Sequence, residues 1–269
     1  MKYVEARGAQ IPVIGFGTWK IHGRAAYEAV GDALAQGYRH LDTARLYGNE
    51  AEVGRALRDS GVPREEVFLT TKVWHEDLGR EAARAAGEAS LARLGAEYLD
   101  LLLIHWPAGT DPRPSLEGMQ ALVDAGDVRH LGVSNFNVAL MAQALEVAPI
   151  VNNQVEYHPF LSVAPVLDFA RAHEVSVTAY CPLARGGVLE DPTLQEIGRA
   201  HGRSPAQVTL RWLIQQEGVV AIPKAARATH RRANLEVFDF ELSGAEMARI
   251  SGLDRGKRLI DPPFGPDWD

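Results

Sequence analysis

The sequence predicts an α/β fold, a (β/α)8 TIM barrel preceded by a β-hairpin and followed by a short C-terminal tail. Three observations carry this expectation. First, short apolar runs at residues 13–16, 38–41, 67–71, 99–104, 128–133, 150–155, 175–179 and 219–222 read as strands. Most lack the alternating polarity of a half-exposed strand, as parallel strands covered on both faces do. Second, helical segments separate them, and eight such strand-and-helix units in about 250 residues is barrel arithmetic. Third, the first strand runs into Gly15-Phe16-Gly17-Thr18-Trp19-Lys20. That turn lacks the third glycine with which a doubly wound open sheet normally begins its first helix.

The elements follow in order. Residues 1–12, with Arg7-Gly8 between two extended runs, read as the hairpin. Helical spacing places Ala25, Ala29, Val30 and Leu34 on one stripe of residues 24–36, and Val53, Ala56 and Leu57 on one stripe of 50–60. Residues 80–94 are alanine-rich, and 115–125, 138–146, 165–173 and 205–216 continue the pattern. The last opens Ser204-Pro205-Ala206-Gln207, an N-cap, a first-turn proline and a glutamine placed to close a capping box. No linker, repeat or low-complexity tract interrupts the chain, so one domain is expected over residues 1–269.

Composition narrows the function. Against 35 acidic residues stand 28 Lys and Arg, giving a net charge of −7 with no basic stripe. That argues against nucleic acid as a partner. No uncharged apolar run approaches the ~20 residues of a membrane span, and residues 1–10 lack a signal-peptide core. The single cysteine suits a reducing compartment, and a cytoplasmic enzyme or ligand-binding protein is expected. Only five residues are lysine, so a lysine inside a strand is not background.

In such barrels, functional side chains emerge at the C-terminal strand ends. Strand two ends in Asp42, with Tyr47 in the loop beyond; strand three ends in Lys72 and strand four in His105. Each has an ordinary role available: a helix cap, loop packing, a satisfied buried imidazole. All of them on adjacent strands at one barrel end is a different matter. A buried ammonium needs a partner, and Asp42 is the obvious counter-charge for Lys72. A nearby lysine is expected to lower the phenol of Tyr47 from its ordinary value near 10 towards the range of efficient acid catalysis. His105 would supply a hydrogen bond to a substrate oxygen. Such a set polarises and protonates a carbonyl. It contains no evident nucleophile and no metal-ligand cluster.

Six motifs stand in a fixed order along the chain. They are Gly15-Phe16-Gly17-Thr18-Trp19; Leu41-Asp42-Thr43-Ala44 with Tyr47-Gly48-Asn49-Glu50; Thr71-Lys72-Val73-Trp74; Ile104-His105-Trp106-Pro107; Gly132-Val133-Ser134-Asn135-Phe136; and Ile222-Pro223-Lys224. Together the chain resembles the aldo-keto reductases, and within them the compact bacterial branch that includes 2,5-diketo-D-gluconate and methylglyoxal reductases. The resemblance implies hydride transfer from a nicotinamide to a carbonyl carbon, with Asp42, Tyr47, Lys72 and His105 as the catalytic tetrad. It also implies a dinucleotide lying across the barrel mouth. Gly17, Thr18, Trp19 and Asp42 would border it, Ser134, Asn135 and Gln154 would hold its carboxamide, Tyr180 would underlie the nicotinamide ring, and Leu183 would line its path. Cys181 stands where the family usually has serine, and no redox role is expected of it.

The segment 222–234 departs from the family pattern. Lys224 and Asn234 are retained, but Ala225 replaces a serine, His230 an arginine and Ala233 a glutamate. Histidine lacks arginine's bidentate fork and permanent charge, so it should grip a 2′-phosphate less firmly. Arg227 is placed to compensate. NADPH is expected as cofactor with an unusually small preference over NADH. Trp19, Tyr47, Trp74, His105 and Trp106 are expected to line a pocket for small aldehydes and ketones. Phe264 and Trp268 could fold over its rim, although a mobile end is the ordinary expectation for a terminus. A monomer is expected. One competing role is a non-catalytic NADP(H)-binding regulatory subunit on the same fold, like the potassium-channel β subunits. Another is a barrel glycosidase, disfavoured because Glu50, Glu52 and Glu156 lack a second acid at a strand end.

Overall fold

The computed structural model describes residues 2–269, so Met1 of the expected hairpin lies outside it. Strands β1 (Tyr3–Ala6) and β2 (Ala9–Pro12) pair antiparallel. The barrel strands are β3 (Phe16–Gly17), β4 (His40–Asp42), β5 (Phe68–Val73), β6 (Leu99–Ile104), β7 (Val128–Ser134), β8 (Asn152–Glu156), β9 (Ser176–Tyr180) and β10 (Val219–Ala221). Each pairs in parallel with its neighbour in sequence. The ring closes where Ile14 bridges Ala221: the Gly15 amide donates to the Ala221 carbonyl at 2.9 Å, and the Ala221 amide to Val13 at 2.9 Å. Closure leaves no exposed sheet edge.

Alternation along the strands sorts their apolar residues into two cores. Leu41, Leu69, Leu102, Ile104, Val133, Val177 and Val219 pack outward with helix residues such as Val30, Leu34, Val53, Leu116 and Leu210. Phe68, Leu101, Leu103, Val151 and Val220 instead cluster with Ala6, Ala9 and Ile11 of the hairpin. The hairpin thereby plugs the N-terminal barrel end. Each fully buried aliphatic side chain contributes about 1.5–3 kcal/mol. Filling the ring needs missing side chains, as at Gly132, where a Cβ would meet Leu103 at 2.6 Å and the Asn152 carbonyl at 2.7 Å.

The helices are α1 (Gly23–Ala35), α2 (Glu50–Asp59), α3 (Arg80–Leu94), α4 (Arg113–Asp124), α5 (Val138–Leu145), α6 (Ala164–Ala172), α7 (Pro192–His201), α8 (Pro205–Ile214), α9 (Ala228–Leu235) and α10 (Gly244–Ser251). Seven lie where the sequence predicts them, and the Ser204–Gln207 capping box of α8 is formed. The sequence reading missed α7, α9 and α10. Two of these carried legible signals: Asp191 accepts the Thr193 and Leu194 amides ahead of α7, and Ser243 forms a capping box with Glu246 at α10.

Strand boundaries differ in one consistent way. Six of the eight barrel strands run past the expected end or start later, and β4, β5, β7, β8 and β9 reach Asp42, Lys72, Ser134, Glu156 and Tyr180. An apolar run ends where inward residues become polar, but the hydrogen-bond ladder continues. The first strand is also interrupted. Its pairing is divided at Gly15, so Ile14 joins Ala221 while Phe16 and Gly17 join Leu41 and Asp42.

Candidate active site

Lys72 is fully buried on β5, inside the barrel. Its Nζ donates to Asp42 Oδ1 at 2.6 Å and to the Thr43 carbonyl at 2.9 Å, and lies 3.4 Å from the Tyr47 hydroxyl. The other Asp42 oxygen accepts from Gln154 Nε2 at 2.8 Å. Tyr47 ends a single 3-10 turn, Arg45–Tyr47, stopped by Gly48 at φ +63°. Asn49 pins that loop by donating to the Thr18 carbonyl at 3.0 Å and the Ile21 carbonyl at 2.8 Å. His105, just beyond β6, stands edge-on to Tyr47 with ring centroids 5.8 Å apart. Four side chains from three successive strand ends thus meet at one barrel end.

The electrostatics correct one expectation. Desolvation first, then the Asp42 charge, holds the Tyr47 phenol well above its ordinary value of 10.0, rather than lowering it. The physical reason is geometric. The ammonium sits against Asp42 and only touches the phenol at long range, so the pair presents little net positive charge. Lys72 itself is lowered from 10.5 by burial, with Asp42 opposing. His105 is pushed well below 6.5 by burial and by Lys72, and its ring is neutral. Its Nδ1 is buried without a hydrogen-bond partner.

Three histidines, His40, His105 and His130, share this downward shift from 6.5, chiefly through burial. Below about pH 6.5 these three positions bind more protons in the unfolded chain than in the folded one, so their contribution to stability is present above that pH and is lost as pH drops. The urea midpoint is expected to be lower at about pH 5 than at about pH 7.5, with a smaller difference in His105→Gln. Equal pH dependence in wild type and variant would refute this assignment.

Two neighbouring cavities open at this end, and the inner one reaches Asp42, Tyr47 and His105. An inner one of about 330 Å³ is lined by Asp42, Tyr47, His105, Asn135, Gln154 and Tyr180, and an outer one of about 660 Å³ continues it. Trp19, Lys20, Arg185, Lys224 and Ile260 border both. The outer cavity is lined by Lys20, Arg185, Lys224 and His230 and by no carboxylate, in a chain of net charge −7. Those donors suit a ligand bearing phosphates.

Comparison with known proteins identifies the family. The model of the aldo/keto reductase family matches residues 13–255. The chain belongs to the aldo/keto reductase family. It is 41% identical over 260 residues to a glyoxal reductase of Bacillus subtilis (strain 168), covering 95% of this chain and 94% of that one. To a methylglyoxal reductase of Yersinia pestis it is 40% identical, covering 96% and 99%. A crystal structure assigned as a 2,5-diketo-D-gluconic acid reductase B superposes with a TM-score of 0.97 at 44% identity, covering 100% and 98%. As an aldo/keto reductase, the chain is an oxidoreductase of carbonyl compounds that uses a nicotinamide cofactor.

Other residues expected at the reductase site fall into three groups. Gly17 lines the inner cavity, Trp19 both, and Leu183, His230 and Asn234 the outer one; Trp106 lines the inner cavity beside Phe264. Thr18 and Ser134 lie beneath the surface instead, donating to the Asp42 carbonyl at 3.0 Å and the Gln154 carbonyl at 2.7 Å. Trp74 does not line either cavity, because it packs edge-on behind His105 at 5.2 Å. Arg227 is exposed at the N-cap of α9 and outside the cavity lining. Its neighbour Arg231 is not a solvated helix charge. It is buried, donates to Asp32 at 2.6 Å, and holds the Ala225 and Ala226 carbonyls at 3.0 and 2.9 Å, shaping the turn after Lys224.

The sequence reading missed Lys20, Arg185 and Ile260 as wall residues. Lys20 carried a signal, being one of five lysines and adjoining the first motif. Arg185 and Ile260 carried none, since each reaches the site from a loop or the tail. The tail is ordered against the rim: Phe264 meets Trp106 at 5.5 Å and His75 at 4.4 Å, and Trp268 meets Trp106 at 6.2 Å.

Proposed function

We propose that the protein reduces small aldehydes, ketones and dicarbonyls to alcohols with NADPH, using Tyr47 as the general acid. The observation that carries this reading is that Tyr47 and His105 line one cavity with the Lys72–Asp42 pair behind them, and that this cavity continues into the cation-lined one. When bound, the nicotinamide supplies the hydride. The chain's own residues do the rest. Neutral His105 donates a hydrogen bond to the carbonyl oxygen and polarises it. The Tyr47 phenol, held protonated by its raised pKa, remains an O–H donor at neutral pH and gives its proton as the oxygen becomes alkoxide. The phenolate left behind has the Lys72 ammonium 3.4 Å away. Lys72 therefore serves as a hydrogen-bonding counter-charge to the phenolate, which offsets part of the burial that raises the phenol, and Asp42 with Gln154 keeps it aimed.

Lys224 and His230 would hold the 2′-phosphate of NADPH, and the Asn135 and Gln154 amide oxygens would accept from the carboxamide over Tyr180. The inner cavity is walled by Trp19, Leu46, Trp106, Ile260 and Phe264, with Lys20, Arg185 and Lys224 on the border it shares with the outer one, which favours compact carbonyl substrates. The names of the relatives point the same way, towards glyoxal and methylglyoxal. A monomeric, cytoplasmic enzyme is the accompanying reading.

The test is loss of reduced-nicotinamide absorbance with methylglyoxal and with an aromatic aldehyde, comparing NADPH and NADH. Turnover with both cofactors and a modest NADPH preference is expected. Tight binding without turnover would instead favour the regulatory-subunit reading. His230→Arg should raise the NADPH preference about ten- to a hundredfold, because a charge-assisted hydrogen bond is worth ~1.5–3 kcal/mol. A variant with the wild-type ratio would remove His230 from the phosphate site.

A further inference from the structure

Glu156 takes no part in the chemistry proposed above, yet its side chain is fully buried at the end of β8. Its Oε1 accepts the Leu259 amide at 2.8 Å and lies 3.0 Å from His158 Nε2, while Oε2 accepts the Ile260 amide at 2.8 Å. Beyond α10 the chain to residue 269 contains no helix or strand. Its course depends on individual tethers, the preceding one being the Lys257 amide on the Phe160 carbonyl at 2.8 Å. Immediately after the Glu156 tether the chain supplies Ile260 to both cavities, then Pro262 and Phe264 to the inner one.

We propose that Glu156 is a latch, a positioning residue that holds the C-terminal tail against the barrel so that Ile260, Pro262 and Phe264 form the distal wall of the substrate cavity. Through that wall it selects among substrates by size. A carboxylate is the side chain the position requires. Three donors converge on it, and ionised Glu offers two acceptor oxygens and no N–H. The isosteric amide of Gln would turn an NH2 group towards one of those donors and leave a buried backbone amide unpaired.

The consequence for substrates rests on the carbonyl-reductase reading, whereas the latch itself does not. Hydrogen exchange tests the latch without activity. In the holoprotein the Leu259 and Ile260 amides should be protected, and in Glu156→Gln they should exchange about ten- to a hundredfold faster, as loss of a charge-assisted hydrogen bond predicts. Glu156→Asp, which keeps the charge but is one methylene shorter, should do the same if the Gln variant does not fold.

Kinetics test the selection. In either variant, KM for an aromatic aldehyde should rise about tenfold, with kcat and the methylglyoxal parameters within about twofold. Phe264→Ala should reproduce that rise, and adding Glu156→Gln to it should change KM no further, since both act on one wall. Unchanged exchange at both amides would overturn the latch. An equal fall of kcat on both substrates, or additive KM effects, would overturn the selection role. Absence of wild-type turnover would count against the reductase reading alone, leaving the exchange result to decide the latch.

Discussion

Replacing Tyr47 with phenylalanine should lower carbonyl reduction by about two to four orders of magnitude, the range that a positioned general acid supplies. The fold should be unaffected. The hydroxyl makes one long contact, 3.4 Å to Lys72, whereas the ring keeps its packing on Trp19 at 4.8 Å and its edge contact with His105 at 5.8 Å. Cofactor binding should persist, because the cation-lined outer cavity does not include Tyr47. The measurement pairs reduced-nicotinamide oxidation with a direct binding titration. Retention of more than about a tenth of wild-type kcat would remove Tyr47 from the acid role. A parallel loss of binding would make it a structural residue of the cavity.

Lys72→Met should lower stability by about 3–5 kcal/mol. The substitution keeps most of the volume of a fully buried side chain, so packing is not the cause. What it leaves is the Asp42 carboxylate in the barrel interior with Gln154 at 2.8 Å as its remaining side-chain partner. The companion is Lys72→Met with Asp42→Asn, which removes both charges. The double variant should recover most of the urea midpoint and none of the activity, since no cation then faces the phenolate. A double variant no more stable than Lys72→Met would show that packing, not the orphaned charge, sets the cost. An active double variant would sink the counter-charge role of Lys72.

The direction of the Tyr47 shift shows where reading from residues alone goes astray. Lysine near tyrosine implies a lowered phenol only if the ammonium's charge is free, and sequence cannot say how closely a third group neutralises it. Asp42 at 2.6 Å does so. Arg227 stands outside the outer cavity's lining, and Trp74 packs on His105 and Phe264, for a related reason: the direction of each side chain depends on the turn it occupies, and neighbouring positions in a turn point to different places. Arg231, one turn further along α9, is tied inward to Asp32 and two carbonyls.

Residue order alone carries the alternation of buried strands and helices, the polar residues at strand C-terminal ends, and the ordered motifs in which Asp42, Tyr47, Lys72 and His105 stand. These are local properties. Strand burial is written in unbroken apolar runs, and in a parallel barrel all C-terminal ends share one face. Only the tertiary structure decided how far each strand continues, whether the ring closes through Ile14 and Ala221, and which charges cancel. It alone brought the tail to the cavity, because the Glu156 contacts join residues more than a hundred positions apart. Such contacts depend on where desolvated groups find partners in space, and no periodicity along the chain records that.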